Sequence, residues 1–257
     1  MILKTYVVRM LKDPMNLLML ILFPIGMVAI MTLVANNNVE GYDHIVNGFN
    51  RFATGNLTFN AVFFQFFCGL LVTDILYLEF RTDMRWRLMA APKPFSRFVI
   101  SAIIASIFVS IVNGIVVLAF GRFVFDAHLH NLLITSATLL TMGTFVTLVG
   151  VLCFMIFPKK GTTTAVMMAF AFAQMLPLQF GMISMERGTI GISNFIPVMT
   201  GVNAMQYSGQ LLFDFVDGMP VHLETDMRMA LIHLGILAGY TLILGIAVAI
   251  IGRKRKI

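Results

Sequence analysis

Charge is the scarcest property of this 257-residue chain. Asp, Glu, Lys and Arg together make up 12% of it, whereas soluble domains carry about 25%. The chain has two cysteines, too few for a framework of several disulfide bonds. It also lacks the phosphate-binding loop GxxxxGK(S/T), the zinc motif HExxH and the nucleophile turn GxSxG. The sequence therefore lacks the motifs that catalyse nucleotide hydrolysis and intramembrane proteolysis, and we predict that the chain is not an enzyme.

Apolar sequence is abundant instead, at 59% of the residues. About 20 apolar residues in a helix cross the hydrocarbon core of a bilayer, and lipid offers no partners to bare backbone amides. Six runs are long enough to cross. The sequence therefore predicts an all-α multi-pass membrane protein forming one domain, 1–257, with transmembrane helices at about 15–35, 57–78, 98–120, 132–157, 163–185 and 229–251.

The basic residues indicate how the chain is oriented. Of the 18 Lys and Arg, 14 lie in the N-terminal segment, the second and fourth connections and the C-terminal tail, whereas the other connections hold eight of the 12 acids. The positive-inside rule places both termini in the cytoplasm. Because the basic residues lie at span ends and form no stripe with aromatics, we predict membrane lipids as their partners, and no nucleic acid.

Two further segments are predicted to lie at the membrane surface. Residues 1–13 form an amphipathic pattern that ends before Pro14 and predicts an uncleaved interfacial elbow helix. Residues 189–213 are moderately apolar but contain Pro197 and many amide and hydroxyl side chains. A seventh crossing would place one terminus outside, so we predict re-entrant helices on the external side between the fifth and sixth spans.

The cytoplasmic connection after the second span differs from the other short loops. Residues 79–92 are compatible with a helix throughout, contain no glycine and end at Pro92. Met84 and Leu88 are four residues apart and share a face of that helix. A short, rigid helix of this kind is suited to transmit motion from a cytoplasmic partner to the two spans that it joins.

In this connection the chain resembles the ABC-2 type transporter permeases. Their pattern E-x-x-x-G-T-L-E-R-L-x-x-x-P after the second span is matched in register by Glu79, Arg87, Leu88 and Pro92, whereas Asp83 and Trp86 replace the Gly and the acid. The family also has six spans, an elbow helix and external re-entrant helices. In it, the residues at these positions form a coupling helix that docks on an ATPase, here Glu79, Arg81, Asp83, Met84, Arg85, Trp86, Arg87, Leu88 and Pro92.

The resemblance implies a permease subunit of a bacterial ABC exporter in the cell membrane. Such a subunit pairs with a second permease chain, identical or different, and with cytoplasmic ATPase subunits that bind the ATP and Mg²⁺. This chain itself is expected to bind no cofactor and no metal. Apolar or amphipathic compounds are the expected cargo: a drug, an antimicrobial peptide or a lipid-like molecule. An ion-coupled carrier or channel, and a permease for surface polysaccharides, are the alternatives.

Candidate cargo contacts lie on the second and fifth spans, which line the path in the resembled family. Aromatic and methionine surfaces adapt to varied apolar ligands, and amides inside a span need a partner or water. Ordinary helix packing or lipid contact is the alternative interpretation of each side chain. The candidate residues are Phe63, Phe66, Phe67, Gln174, Met175 and Gln179.

The remaining polar and reactive side chains give weaker indications. Asp74 is the only acid well inside a predicted span, either as part of a proton relay or as a structural group satisfied by Tyr77 and Arg81 on its own face. Since no other span offers a buried charge, we favour the structural interpretation. Cys68 and Cys153 lie inside spans and are expected to be reduced, packed thiols.

Overall fold

The computed structural model describes residues 2–38, 45–46, 49–82, 95–129, 131–174, 196–209, 213–216, 219–222 and 225–254. This part of the chain is nearly all helical. The helices are α1 Ile2–Lys12, α2 Pro14–Leu17, a π-helical turn Leu18–Leu22, α3 Phe23–Asn38, α4 Arg51–Phe63, α5 Phe66–Phe80, α6 Phe95–Phe125, α7 Leu132–Ile156, α8 Lys160–Ala173, α9 Pro197–Tyr207 and α10 Met227–Lys254.

Four helices of the described chain are long and apolar enough to cross a membrane. They are Ala53–Phe80, which joins α4 and α5, and Ser96–Phe125, Leu132–Ile156 and Met227–Arg253. The predicted first span is present as the shorter apolar helix Leu18–Val34, which begins with the π-helical turn Leu18–Leu22, just before Pro24. The predicted fifth span, 163–185, begins within α8, which ends at Ala173. Residues 175–185 lie outside the described chain.

Two short hairpins depart from the all-α prediction. Strands β1 Ile45–Val46 and β2 Phe49–Asn50 pair antiparallel, and so do β3 Phe213–Val216 and β4 Met219–His222. The dipeptides Asn-Gly and Asp-Gly stand between the paired strands in the sequence, and both favour two-residue hairpin turns. Helix α9 lies within the predicted re-entrant segment 189–213. The last residue of that segment, Phe213, is the first residue of β3.

Helix α7 is the centre of the bundle and contacts α4, α5, α6, α8, α9 and α10. Small residues allow these close approaches, as is common between membrane helices. A Cβ atom on Gly150 of α7 would overlap the Gly69 carbonyl oxygen of α5. A Cβ atom on Gly143 would overlap the Ser110 side chain of α6. Helices α5, α6 and α7 are therefore locked together at positions where no larger side chain fits.

Buried hydroxyl groups connect the same three helices. The Ser106 hydroxyl of α6 donates to the Cys68 carbonyl of α5 at 2.9 Å and lies 3.0 Å from Thr147 Oγ1 of α7. One helical turn away, the Ser110 hydroxyl donates to Gln65 Oε1. These hydrogen bonds satisfy polar groups that would otherwise be costly inside an apolar bundle.

The two ends of the bundle differ in chemistry. At one end, Asn50, Asn131 and Asp226 each accept a hydrogen bond from the backbone amide three residues later, and so cap α4, α7 and α10. At the other end, Tyr6 of α1 and Val248 of α10 belong to one buried cluster. We call this second region the basic end; among its residues are Arg9, Lys12, Arg81, Arg97, Lys159, Lys160 and Arg253.

Candidate functional site

An apolar cavity lies between α3, α8 and the α4–α5 pair. Its volume is about 280 Å³, and an engineered cavity of about 150 Å³ is large enough to hold benzene. Polar atoms contribute almost nothing to its surface, and 12 of its 15 lining residues are Phe or Met, so a polar ligand would find no anchor. The lining consists of Met19, Phe23, Met27, Met31, Phe59, Asn60, Phe63, Phe64, Phe66, Phe67, Leu70, Met167, Met168, Ala171 and Phe172.

The cavity opens at the outer surface of the bundle. Its rim includes Phe23 of α3 and Phe172 of α8, which are 45% and 63% exposed, whereas Phe64, Phe66 and Met167 on its inner wall are buried. A surface of this kind would face lipid in a membrane. The cavity is therefore positioned to admit an apolar molecule sideways, between α3 and α8.

Regular spacing in the sequence builds the walls. The α4–α5 wall contains two stacked pairs of rings, Phe59 on Phe63 at 5.6 Å and Phe64 on Phe67 at 5.6 Å. The opposite wall is formed by a row in which every fourth residue is Met or Phe, the spacing that keeps side chains on one helical face: Met19, Phe23, Met27 and Met31.

The structure brings together three of the six predicted cargo residues. Phe63, Phe66 and Phe67 all line the cavity. Gln174 is buried instead at the end of α8, where its Oε1 accepts a hydrogen bond from the Val198 amide near the start of α9 at 3.4 Å. The Gln174 side chain therefore positions α9 and does not line the cavity. The predicted residues Met175 and Gln179 lie outside the described chain.

The basic end of α5 is fastened to α1 by an ion pair. Arg9 Nη1 of α1 donates to Glu79 Oε1 at 3.3 Å, and Glu79 is buried. Tyr6 packs in the same cluster as the end of α5. Burial is the main reason why the pKa of the Tyr6 hydroxyl is raised; the Glu79 carboxylate raises it further and the Arg9 guanidinium opposes both. The Tyr6 side chain therefore stays neutral.

A second set of contacts fastens the same end of α5 to α8. Lys160 Nζ, at the start of α8, lies 3.1 Å from Asp74 Oδ1. The Tyr77 hydroxyl donates to the Phe157 carbonyl at 2.6 Å and lies 2.7 Å from Thr163 Oγ1. We refer to the contacts of Asp74, Tyr77 and Glu79 as the clamp. Together they hold α5 between α1 and α8.

The clamp changes the interpretation of Asp74. Its carboxylate is satisfied by Lys160 on another helix, whereas Tyr77 and Arg81 were the expected partners. Tyr77 bonds the connection between α7 and α8, and the Arg81 guanidinium lies 5.6 Å from the centre of the Phe154 ring. Lys160 is distant from Asp74 in the sequence, and the spacing of residues within one helix cannot predict such a partner.

Of the predicted ATPase-coupling residues, the structure describes Glu79 and Arg81. The other seven lie outside the described chain: Asp83, Met84, Arg85, Trp86, Arg87, Leu88 and Pro92. The segment that contains them directly follows the clamped end of α5. The predicted thiol state is confirmed, since Cys68 and Cys153 are both free and buried.

Two buried polar residues were missed by the sequence analysis. Gln65 lies at the break between α4 and α5, where its Nε2 donates to the Ala61 carbonyl at 3.3 Å. His233 lies in α10 and is 0% exposed, whereas the sequence pattern had indicated no buried charge in a span other than Asp74. In both cases the available signal was a single strongly polar residue inside an otherwise apolar run.

Comparison of the chain with protein-family models, curated proteins and solved structures found no match. Function is therefore inferred from the geometry and the sequence pattern.

Proposed function

We propose that this chain is the membrane-spanning permease subunit of an ATP-driven exporter, and that a separate ATPase subunit energises it. The cargo is an apolar or amphipathic compound, and the cavity between α3, α4–α5 and α8 is part of its path. The chain is oriented with both termini in the cytoplasm, and the basic end is the cytoplasmic end. It functions with a second permease chain.

The observation that carries this proposal is that one helix, α5, takes part in both the cavity and the clamp. Phe66, Phe67 and Leu70 of α5 line the cavity. Asp74, within one further turn, begins the clamp, and the segment that resembles a coupling helix follows directly. A rigid helix moves as a unit, so a push on the coupling segment would change the shape of the cavity.

The lining of the cavity supports an apolar cargo over a surface polysaccharide. A sugar chain needs hydrogen-bonding groups along its path, since polar groups that are desolvated without partners are costly. Asn60 is the one strongly polar residue of the lining, and its Nδ2 already donates to the Asn56 carbonyl at 2.7 Å. Phe and Met surfaces instead match aromatic rings and alkyl chains.

A second candidate function is an ion-coupled carrier, which His233 favours. Titratable residues inside membrane spans are rare and commonly bind protons or ions. Asp74 contributes less to this candidate because Lys160 already balances its charge. A carrier would need neither an ATPase nor a coupling segment, so the two candidates differ in their energy source.

Co-purification from the native membrane distinguishes these functions. The full chain is extracted in mild detergent, and the eluate is assayed for ATP hydrolysis and for associated subunits by mass spectrometry. The exporter predicts that an ATP-hydrolysing subunit is recovered, and that replacing Leu88 by Asp in the coupling segment removes it. Recovery of the chain without such a subunit, together with transport that responds only to an ion gradient, would establish the carrier.

A further inference from the structure

A second site lies where α7, α9 and α10 meet, and it is polar. The His233 side chain of α10 is 0% exposed, and neither ring nitrogen has a hydrogen-bond partner among the described residues. Its ring is stacked on Tyr207 of α9, with centroids 5.5 Å apart and planes 4° from parallel. The stack fixes the imidazole in place but offers its ring nitrogens no hydrogen bond.

Two hydroxyl groups of α7 lie at the same depth. Contacts between the parallel helices α7 and α10 join Phe145 to Tyr240 and Met155 to Gly252, residues whose numbers differ by 95 and 97. This register places His233 level with Thr138 and within one turn of Thr135. Both threonine hydroxyls are buried and, within the described chain, have no hydrogen-bond partner.

The chemistry of these groups specifies the ligand. A neutral imidazole has one N–H donor and one acceptor nitrogen, and a hydroxyl both donates and accepts. Buried polar groups in proteins are nearly always satisfied, because leaving them unpaired is costly. Water, with two donors and two acceptor positions, satisfies such groups from several helices at once. A metal ion is a poorer fit, since the described chain has no cluster of His, Cys, Asp or Glu.

We propose that the junction of α7, α9 and α10 is a water-filled site that lets the His233 imidazole exchange protons with the aqueous phase. Its entrance is at the capped end of α10, where Asp226 and Arg228 are exposed. Bound water bridges His233 to the hydroxyls of Thr135 and Thr138. This inference does not depend on the proposed function, because either an exporter or a carrier can contain such a site.

Protonation of His233 has a direct structural consequence. Tyr207 is the titratable residue that faces it from α9, and α7 contributes hydroxyl groups at this depth. On α10 itself, Asp226 lies two turns away and its carboxylate accepts the Met229 amide at 3.0 Å. A positive charge on the imidazole therefore has no carboxylate beside it in the described chain. Protonation therefore places an unbalanced positive charge where α9 packs on α10, against the Tyr207 ring.

Cysteine labelling tests whether water reaches the site. In proteoliposomes of the full chain with Cys68 and Cys153 replaced by Ala, Thr138→Cys is compared with Met142→Cys, one turn deeper on the same helix and also buried. A charged methanethiosulfonate reagent reacts with thiols in water. We expect at least a tenfold faster reaction at the first position. Equal or slower reaction in variants that elute as the parent does on size exclusion would show a dry site and overturn the proposal.

Acylation of the native chain tests the proton exchange. Diethyl pyrocarbonate modifies neutral imidazoles, and mass spectrometry reads each histidine separately. The rate at His233 is expected to rise with pH as the imidazole loses its proton. No modification at His233 while other histidines react, or a rate independent of pH, would overturn this part of the proposal even where Thr138→Cys is labelled.

Discussion

The two halves of α5 are built in opposite ways. Its first half, with Phe66, Phe67 and Leu70, meets α3 and α8 through aromatic and methionine side chains that leave a cavity. Its second half, with Asp74, Tyr77 and Glu79, meets α1 and α8 through ion pairs and hydrogen bonds. Apolar contacts are non-directional and permit a ligand to replace them, whereas charged and hydrogen-bonded contacts fix one geometry.

This difference indicates a division of roles along one helix. The cavity half is adaptable, because Met and Phe side chains repack around different ligands. The clamp half holds a defined position relative to α1 and α8, and the predicted coupling segment begins where it ends. A device that turns a push from a cytoplasmic partner into a change of cavity shape needs both properties.

The largest effect is expected where α5 crosses α7, because this contact supports both halves. In Gly150→Ala the new Cβ would overlap the Gly69 carbonyl oxygen, so the backbones must separate. We expect a loss of about 1–3 kcal/mol in stability, measured as a lower unfolding temperature in detergent. The matched control is Gly239→Ala, where a Cβ meets nothing within 4 Å. Equal unfolding temperatures for the two variants would contradict the close crossing.

Filling the cavity tests the first half of α5 without changing the second. Ala171 lines the cavity, and Ala171→Leu places a larger side chain in the space that a ligand would occupy. Binding of the apolar dye Nile red to the purified chain is expected to weaken about tenfold, equivalent to roughly 1.4 kcal/mol. Ala169→Leu on the exposed face of α8 is the control and leaves binding unchanged. Equal affinities for the two variants would remove the cavity as the dye site.

Breaking the Arg9–Glu79 pair tests the clamp half. Arg9→Gln leaves the Glu79 carboxylate partly buried without its charged partner, and we expect a cost of about 1–2 kcal/mol, between values for exposed and buried pairs. Nile red affinity stays the same while nucleotide-driven transport falls. The exchange of both residues, Arg9→Glu with Glu79→Arg, restores part of the loss, and Lys12→Gln on the exposed face of α1 has no effect. A loss of dye binding in Arg9→Gln would show that the halves are not separate.

The smallest effect is expected at the Asp74–Lys160 pair. Its side chains are 40% and 54% exposed, so the pair is worth about 0.2–1 kcal/mol. A double-mutant cycle with Asp74→Asn and Lys160→Gln measures this coupling from unfolding temperatures, and Lys159→Gln is the control. A coupling of several kcal/mol would show that Asp74 has a larger role than fastening α5 to α8.

The sequence predicted those parts of the fold that depend on local apolar length. The run 98–120 lies within α6 and 132–157 nearly coincides with α7, because continuous hydrophobicity is enough to define a helix in lipid. The hairpins were missed although Asn-Gly and Asp-Gly mark both of them, since strands of two to four residues are too short to give a clear alternating pattern. The break at Gln65 was missed because hydropathy averages over one polar side chain.

The candidate site was predictable only within single helices. The candidates Phe63, Phe66 and Phe67 were singled out because they are aromatic residues close together on one predicted span. Their partners Phe23 and Met27 on α3 depend on which helices meet, as does the pairing of Asp74 with Lys160. Contacts between elements far apart in sequence follow from tertiary packing, and a single sequence gives little information about them.

The energy source of transport tests the central claim most directly. Proteoliposomes are prepared with the full chain alone, and with the chain and its co-purified ATPase subunit, and the uptake of a lipophilic cation such as ethidium is followed with and without ATP. Uptake that requires both the ATPase subunit and ATP, and that Arg9→Gln diminishes, is the predicted result. Uptake by the chain alone under a proton gradient, without nucleotide, would contradict the account.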